Sequence, residues 1–172
     1  MSDDIRIVPT SEEHIAGLQR CVDAVARERR WIGFLEGPPL GQTRAFVEMI
    51  LRGAGVQFVA LNAADEVVGW CDALRLDQET FRHGWRLGMG LLPAVRGRGV
   101  GRRLAEAAIA AAKAQGAERI ELEVFASNVR AIALYETLGF VREGVKRRAR
   151  KLDGAYDDVV LMALLTEGVV GH

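Results

Sequence analysis

The sequence predicts an α/β protein of the α+β kind, with a mixed, mostly antiparallel sheet of about seven strands flanked by about four helices, in the order β-α-α-β-β-β-α-β-α-β-β. Three observations predict it. Strand-like segments at 56–62, 66–76 and 85–93 are joined by turns too short for a crossover, which forces an antiparallel meander. Helical segments at 99–116 and 127–139 follow, separated by one strand-like segment and each closed by a glycine. Two long strand-like runs then surround Asp153-Gly154, a dipeptide that favours a two-residue hairpin.

Each element has its own signal. "IRIVP" (5–9) alternates and ends in proline, as a first strand does. The segment 10–29 opens on Thr10 or Ser11 as a helix cap, and Ile15, Leu18, Val22 and Val25 recur at helical spacing. Glycine and proline make 30–43 a loop, and "TRAFVEMILRG" (43–53) reads as a second helix ended by Gly53. "ERIELEVF" (118–125) alternates as a strand. With no repeat, linker or low-complexity tail, the whole of 1–172 reads as one domain.

Composition narrows the function classes. Hydrophobic residues make up 49% and charged residues 27%, as in a globular protein with a sizeable core. Net charge is +0, so no overall field draws the chain to nucleic acid or membrane. The basic run at 142–151 reads as a solvated strand face, without the interleaved aromatics of a nucleic-acid binder. Cys21 and Cys71 stand far apart and outside metal-ligand spacing, and His14, His83 and His172 are equally scattered. Neither a disulfide framework nor a metal is expected, and a reducing cytoplasm suits the chain. The N-terminal stretch lacks the pattern of a signal peptide, and no segment has the length of a membrane span.

The most informative stretch is "RGRGVG", Arg96 to Gly101, between a strand and a helix. Backbone N–H groups at a helix start converge on one point, and the helix dipole favours negative charge there. Arg96, Arg98, Arg102 and Arg103 add charge around that mouth. A pyrophosphate cradle follows from this chemistry. The P-loop is excluded because no Gly-x-x-x-x-Gly-Lys-Ser/Thr occurs, and Arg102 stands where the dinucleotide fingerprint needs its third glycine. A tight strand-to-helix turn remains the plain alternative.

Two motifs in sequence decide between them. Arg96, Gly99 and Gly101 meet the pattern Arg/Gln-x-x-Gly-x-Gly/Ala, and "NVRAIALYETLGF" meets Asn-x-x-Ala-x-x-Leu-Tyr-x-x-x-Gly-Phe at Asn128, Ala131, Leu134, Tyr135, Gly139 and Phe140. Over roughly 66–165 the chain thereby resembles the GNAT superfamily of acetyl-CoA-dependent N-acetyltransferases. The resemblance implies that family's fold, acetyl-CoA as acyl donor, an amine acceptor, and a homodimer as the common assembly. It implies that the pantetheine arm pairs with the backbone of Met89, Gly90 and Leu91. The pyrophosphate would take amides from Gly97, Arg98, Gly99, Val100, Gly101 and Arg102. Asn128, by the same resemblance, would contact the arm, and it is also a good helix cap.

Acetyl transfer to an amine needs a base and a proton for the leaving thiolate. Tyr135 matches the family's acid, although Ala131, Leu134 and Leu138 also give it the spacing of a core aromatic. Glu123 lies in "LEVFASN", which resembles a stretch of the ribosomal-protein alanine acetyltransferases whose glutamate is the base; Phe125 replaces that subgroup's arginine. Glu121 and Glu123 equally fit a polar strand face. Asp72 and Glu36 are rivals, or binders of the acceptor's positive charge. Trp31, Phe34, Trp70 and Trp85 are candidates to line an acceptor pocket, and His83 reads as a surface residue. The expected acceptor is a small amine such as an amino acid. A peptide or protein N-terminus is the alternative, and a non-catalytic acyl-CoA sensor is the alternative of another class.

Overall fold

The structure is a computed structural model and describes residues 4–166. His172 and the first three residues of the stretch read for a leader lie outside the described residues. The elements are β1 (Arg6–Pro9), α1 (Ile15–Arg27), α2 (Leu40–Met49), β2 (Gly55–Leu61), β3 (Val67–Arg75), β4 (Gly84–Leu91), α3 (Val100–Ala114), β5 (Arg119–Phe125), α4 (Val129–Thr137), β6 (Val141–Leu152) and β7 (Ala155–Leu165). They follow the expected order.

Local chemistry sets the boundaries. Ahead of α1 the Ser11 amide donates to His14 Nδ1 at 3.0 Å, which satisfies one orphan donor at the helix start. Helix α2 begins earlier than the expected 43, because Pro39 occupies the N-cap and its fixed φ leads straight into the helix. Gly53 ends that helix in the left-handed region, φ 100°. At the β6–β7 turn, Asp153 and Gly154 have φ of 50° and 81°, the pair of positive values a type I′ hairpin requires.

The seven strands form one sheet in the order β1-β2-β3-β4-β5-β7-β6. Every neighbouring pair is antiparallel except β4 and β5. These two are joined by α3 as a crossover, so they must run parallel. Strand alternation sends successive side chains to opposite faces. On one face α3 and α4 pack over Cys71, Trp85, Leu87, Ile120 and Leu122. On the other, α1 and α2 pack over Val59 and Trp70. Trp85 is 0% exposed and belongs to the first core, so it lines no acceptor pocket. The basic strand β6 is almost wholly exposed, as the solvated-face reading expected.

Candidate active site at the break between β4 and β5

The parallel pairing of β4 with β5 covers only Gly84–Arg119, Trp85–Ile120 and Arg86–Glu121. Beyond those pairs the strands separate. Along β4 the pairing with β3 continues: the Leu76 amide donates to Gly84 O and the Leu92 amide to Val68 O. By alternation, even-numbered residues of β4 spend their polar backbone on β3, and Leu87, Met89 and Leu91 present theirs to the break. Gly90 is therefore corrected as a backbone partner for a ligand. Its groups face β3, and its missing side chain makes room for the Trp70 ring, 2.2 Å from where a Cβ would stand. Trp70 thus packs beneath the strand rather than lining the cavity.

A cavity of about 690 Å³ fills the break. Its mouth is the start of α3. Gly97 and Gly99 have φ of 74° and 78°, which glycine adopts without strain. Open space surrounds the Cβ position of Gly99, whereas the Arg130 guanidinium lies 2.9 Å from that of Gly97. The first intrahelical acceptor, Gly99 O, takes the Arg103 amide at 3.1 Å. The amides of Val100, Gly101 and Arg102 therefore have no helical partner. Convergent amides, left-handed glycines and the guanidiniums of Arg102 and Arg130 suit a pyrophosphate, and the bare rungs of β4 suit an extended amide-bearing arm. Coenzyme A carries both.

Other expected residues find different places. Arg96 is committed to protein: it donates to Glu28 at 2.8 and 2.5 Å and to Leu91 O at 3.1 and 2.8 Å. Its guanidinium holds the Glu28 carboxyl below the usual range and ties the end of α1 to the mouth of the break. The Val100 side chain is buried in the core, so only its amide faces outward. Arg98 is exposed and does not border the cavity. Asn128 Oδ1 accepts from the Ala131 amide at 3.2 Å, which caps α4.

Tyr135 borders the cavity and is 7% exposed. Burial pushes its hydroxyl well above the ordinary tyrosine value, with Cys71 adding a smaller push, so it holds its proton at any working pH. Glu123 also borders the cavity, with Lys146 Nζ 2.6 Å from its carboxylate. Trp31 lines the opposite wall and donates from its indole to Glu28 at 3.0 Å. Phe34 is 59% exposed and away from the cavity. Glu36 is exposed beside Arg27 at 3.7 Å. Neither lines the cavity, which the loop reaches only through Trp31, Ile32 and Gly33. Asp72 stands on β3 beside Gly88, accepting from Gln57 Nε2 at 3.3 Å, and burial pushes its carboxyl up to about 7. Arg130, Gly88 and Ile32 line the cavity without having been singled out, and Phe125, noted in sequence for standing where a subgroup has arginine, lines it as well. Arg130 is the second residue of the helix that Asn128 caps, and that place at a helix start could have found it.

A split parallel strand pair with an anion cradle at its mouth defines a coenzyme A-dependent acyltransferase. The profile of the Acetyltransferase (GNAT) family matches residues 18–140, and the chain belongs to that family. It is similar to the N-alpha-acetyltransferase RimI of Mycobacterium tuberculosis, 31% identical over 141 residues, or 81% of this chain and 82% of that enzyme. It is also similar to the [ribosomal protein bS18]-alanine N-acetyltransferase of Salmonella typhimurium, 40% identical over 72 residues, 42% of this chain and 49% of that enzyme. The alignment thus spans about half of the Salmonella enzyme's length. Among solved structures, a GNAT acetyltransferase of Streptococcus pneumoniae superposes with a TM-score of 0.88 at 24% identity, covering 95% of this chain and 100% of that one. Acetyl-CoA is the donor that this family uses. Among the described residues no cluster suits a metal ion, and no helix is long and apolar enough to cross a membrane.

Proposed function

We propose that the chain acetylates the primary amine of a small molecule, with amino acids as the favoured class. One observation carries the choice of a small acceptor. The loop after α1 is tied to the tip of the β6–β7 hairpin across the acceptor side of the cavity. Arg29 donates to both Asp153 oxygens at 2.9 and 3.0 Å, and Arg150 donates to the carbonyls of Arg30 and Arg29 at 3.2 and 2.9 Å. In this reading the strap narrows the acceptor side, which favours a small molecule over a polypeptide. Arg150 stacks on Phe125 at 4.3 Å and Arg30 on Trp31 at 4.6 Å, so positive charge edges two cavity walls. An amino acid's carboxylate would find its partner there.

In this reading the cradle holds the pyrophosphate, the amides of Met89 and Leu91 hold the donor arm, and Tyr135 protonates the leaving sulfur. Its raised hydroxyl fits an acid better than a base. Glu123 is the weaker candidate for base, since Lys146 already neutralises it. The second reading, a peptide N-terminus as acceptor, draws on the names of the Salmonella and mycobacterial relatives. Thiol release from acetyl-CoA tests both: the protein is offered amino acids, simple amines, and short peptides beginning with alanine. Turnover with free amino acids is the expected result, and turnover with peptides alone would replace it by the second reading.

A further inference from the structure

We propose that the acceptor's ammonium sits on the bare sheet surface over Gly88 and gives its proton to Asp72. This rests on the acetyl-transfer reading and adds the acceptor subsite to it. Three strands meet at one level here. Asp72 pairs with Gly88 across β3 and β4. Arg86–Glu121 is the last pair of β4 with β5, and two residues further along each strand Gly88 and Glu123 line the break from its two sides. By alternation from Trp70, which packs with α1 and α2, Asp72 and Gly88 belong to the face those helices cover. Glu123 lies opposite the buried Leu122 and Val124, so it shares that face. Two carboxylates thus flank a strand position with no side chain. A Cβ at Gly88 would meet only Asp72 Oδ1, at 3.6 Å, so this carboxylate stands just behind Gly88, which itself lines the cavity.

The two carboxylates differ. Glu123 has Lys146 at 2.6 Å. Asp72 has no cation among the described residues: its hydrogen-bond partner is Gln57, which is 5% exposed and keeps Oε1 without a partner. Turning that amide over would offer Oε1 to a protonated Asp72, so the pair accommodates both charge states. Nothing nearby supplies a compensating charge. Arg86, further along β4 on the same face, is tied to Glu121 at 2.9 Å. Cys71 points to the opposite face, and burial holds the thiols of Cys71 and Cys21 neutral. The sheet-facing residues of α1 and α2, such as Leu18, Val25, Thr43 and Val47, carry no charge. A partly buried carboxylate without a cation is completed by a substrate that brings one.

The location fits the reaction. The break closes at Arg86–Glu121 and opens at the cradle, so a donor arm threaded from the cradle ends beside Gly88. In the step itself, Asp72 takes one proton from the ammonium and the nitrogen lone pair forms the N–C bond. The C–S bond breaks, and Tyr135 gives its proton to the sulfur. The nitrogen's second proton restores Tyr135, and the one on Asp72 passes to solvent. The acceptor class is a primary ammonium on a small stem, since Trp31, Ile32 and Phe125 wall the space, with Arg30 and Arg150 stacked on two of those rings to meet an amino acid's carboxylate.

The test compares two coenzyme A thioethers by calorimetry, S-ethyl-CoA and S-(2-aminoethyl)-CoA, which differ by one ammonium beyond the sulfur. At about pH 8 the wild-type protein should bind the aminoethyl compound about tenfold tighter. The preference should fade as pH falls through about 7, where Asp72 is protonated. Asp72→Asn should abolish the preference. Gly88→Ala, whose methyl makes only ordinary contact with Asp72, should reduce the ratio of the two affinities. Equal binding of both compounds by wild type, or a preference that survives Asp72→Asn, overturns the inference and spares the donor site. Failure of S-ethyl-CoA to bind overturns the acetyl-transfer reading itself.

Discussion

The two ends of the cavity are built from different material. The end proposed for the donor is made of backbone: the amides at the start of α3, the left-handed Gly97 and Gly99, and the rungs of β4 that face away from β3. In the proposed reading the acceptor end is lined by side chains from the loop after α1, from β5 and from the closing hairpin, with Asp72 of β3 behind Gly88. Backbone recognition fixes glycines and leaves most other positions interchangeable. Side-chain recognition changes with each substitution, so one donor can serve many acceptors on the same scaffold.

The sharpest way to break the comparison is at the cradle. Gly99→Glu places a charged side chain in left-handed backbone and in the open space at the mouth. Acetyl-CoA affinity should fall about 100-fold or more, measured by calorimetry, with the fold retained by circular dichroism. Undiminished affinity would remove the cradle from the donor end. Next comes the junction of the two ends. Tyr135→Phe should lower kcat by roughly 100-fold while the Kd for acetyl-CoA changes less than about twofold. A full-rate variant would make Tyr135 a packing residue.

The smallest effect sharpens the acceptor end alone. The Asp72 carboxyl stands at about 7 when folded, against an ordinary 3.8, through burial. Between those values the folded state holds a proton that the unfolded state has lost, so stability falls as pH rises. Asp72→Asn should melt with wild type near pH 4 and about 5 °C above it beyond pH 7. Parallel melting curves across that range would show that Asp72 is not buried at cost.

The donor end was legible in sequence because its chemistry is local. Arg96 to Gly101 is one unbroken run, and the second motif from Asn128 to Phe140 occupies a single helix and its stop. Arg96 shows the limit even there: its partner Glu28 comes from the end of α1, so its tie to protein could not be read from the motif. The acceptor end was only partly legible because its residues meet through the sheet. Asp72 and Glu123 were singled out one by one, but that Asp72 stands beside Gly88 follows from the register of β3 with β4, and that Glu123 faces the break follows from where β5 parts from β4. Trp85 and Phe34 show the converse error. A single aromatic in sequence carries no sign of whether it is sealed in the core or left at the surface.

The unpaired stretch of β4 has one more consequence. Bare strand rungs recruit foreign strands, and exposed edges of this kind seed aggregation. Here the vulnerable edge lies in the middle of the sheet, roofed by helices on both faces. Arg96 covers the Leu91 carbonyl at the end of that edge. The molecule thus keeps an adhesive edge between two of its own strands rather than at the rim of the sheet.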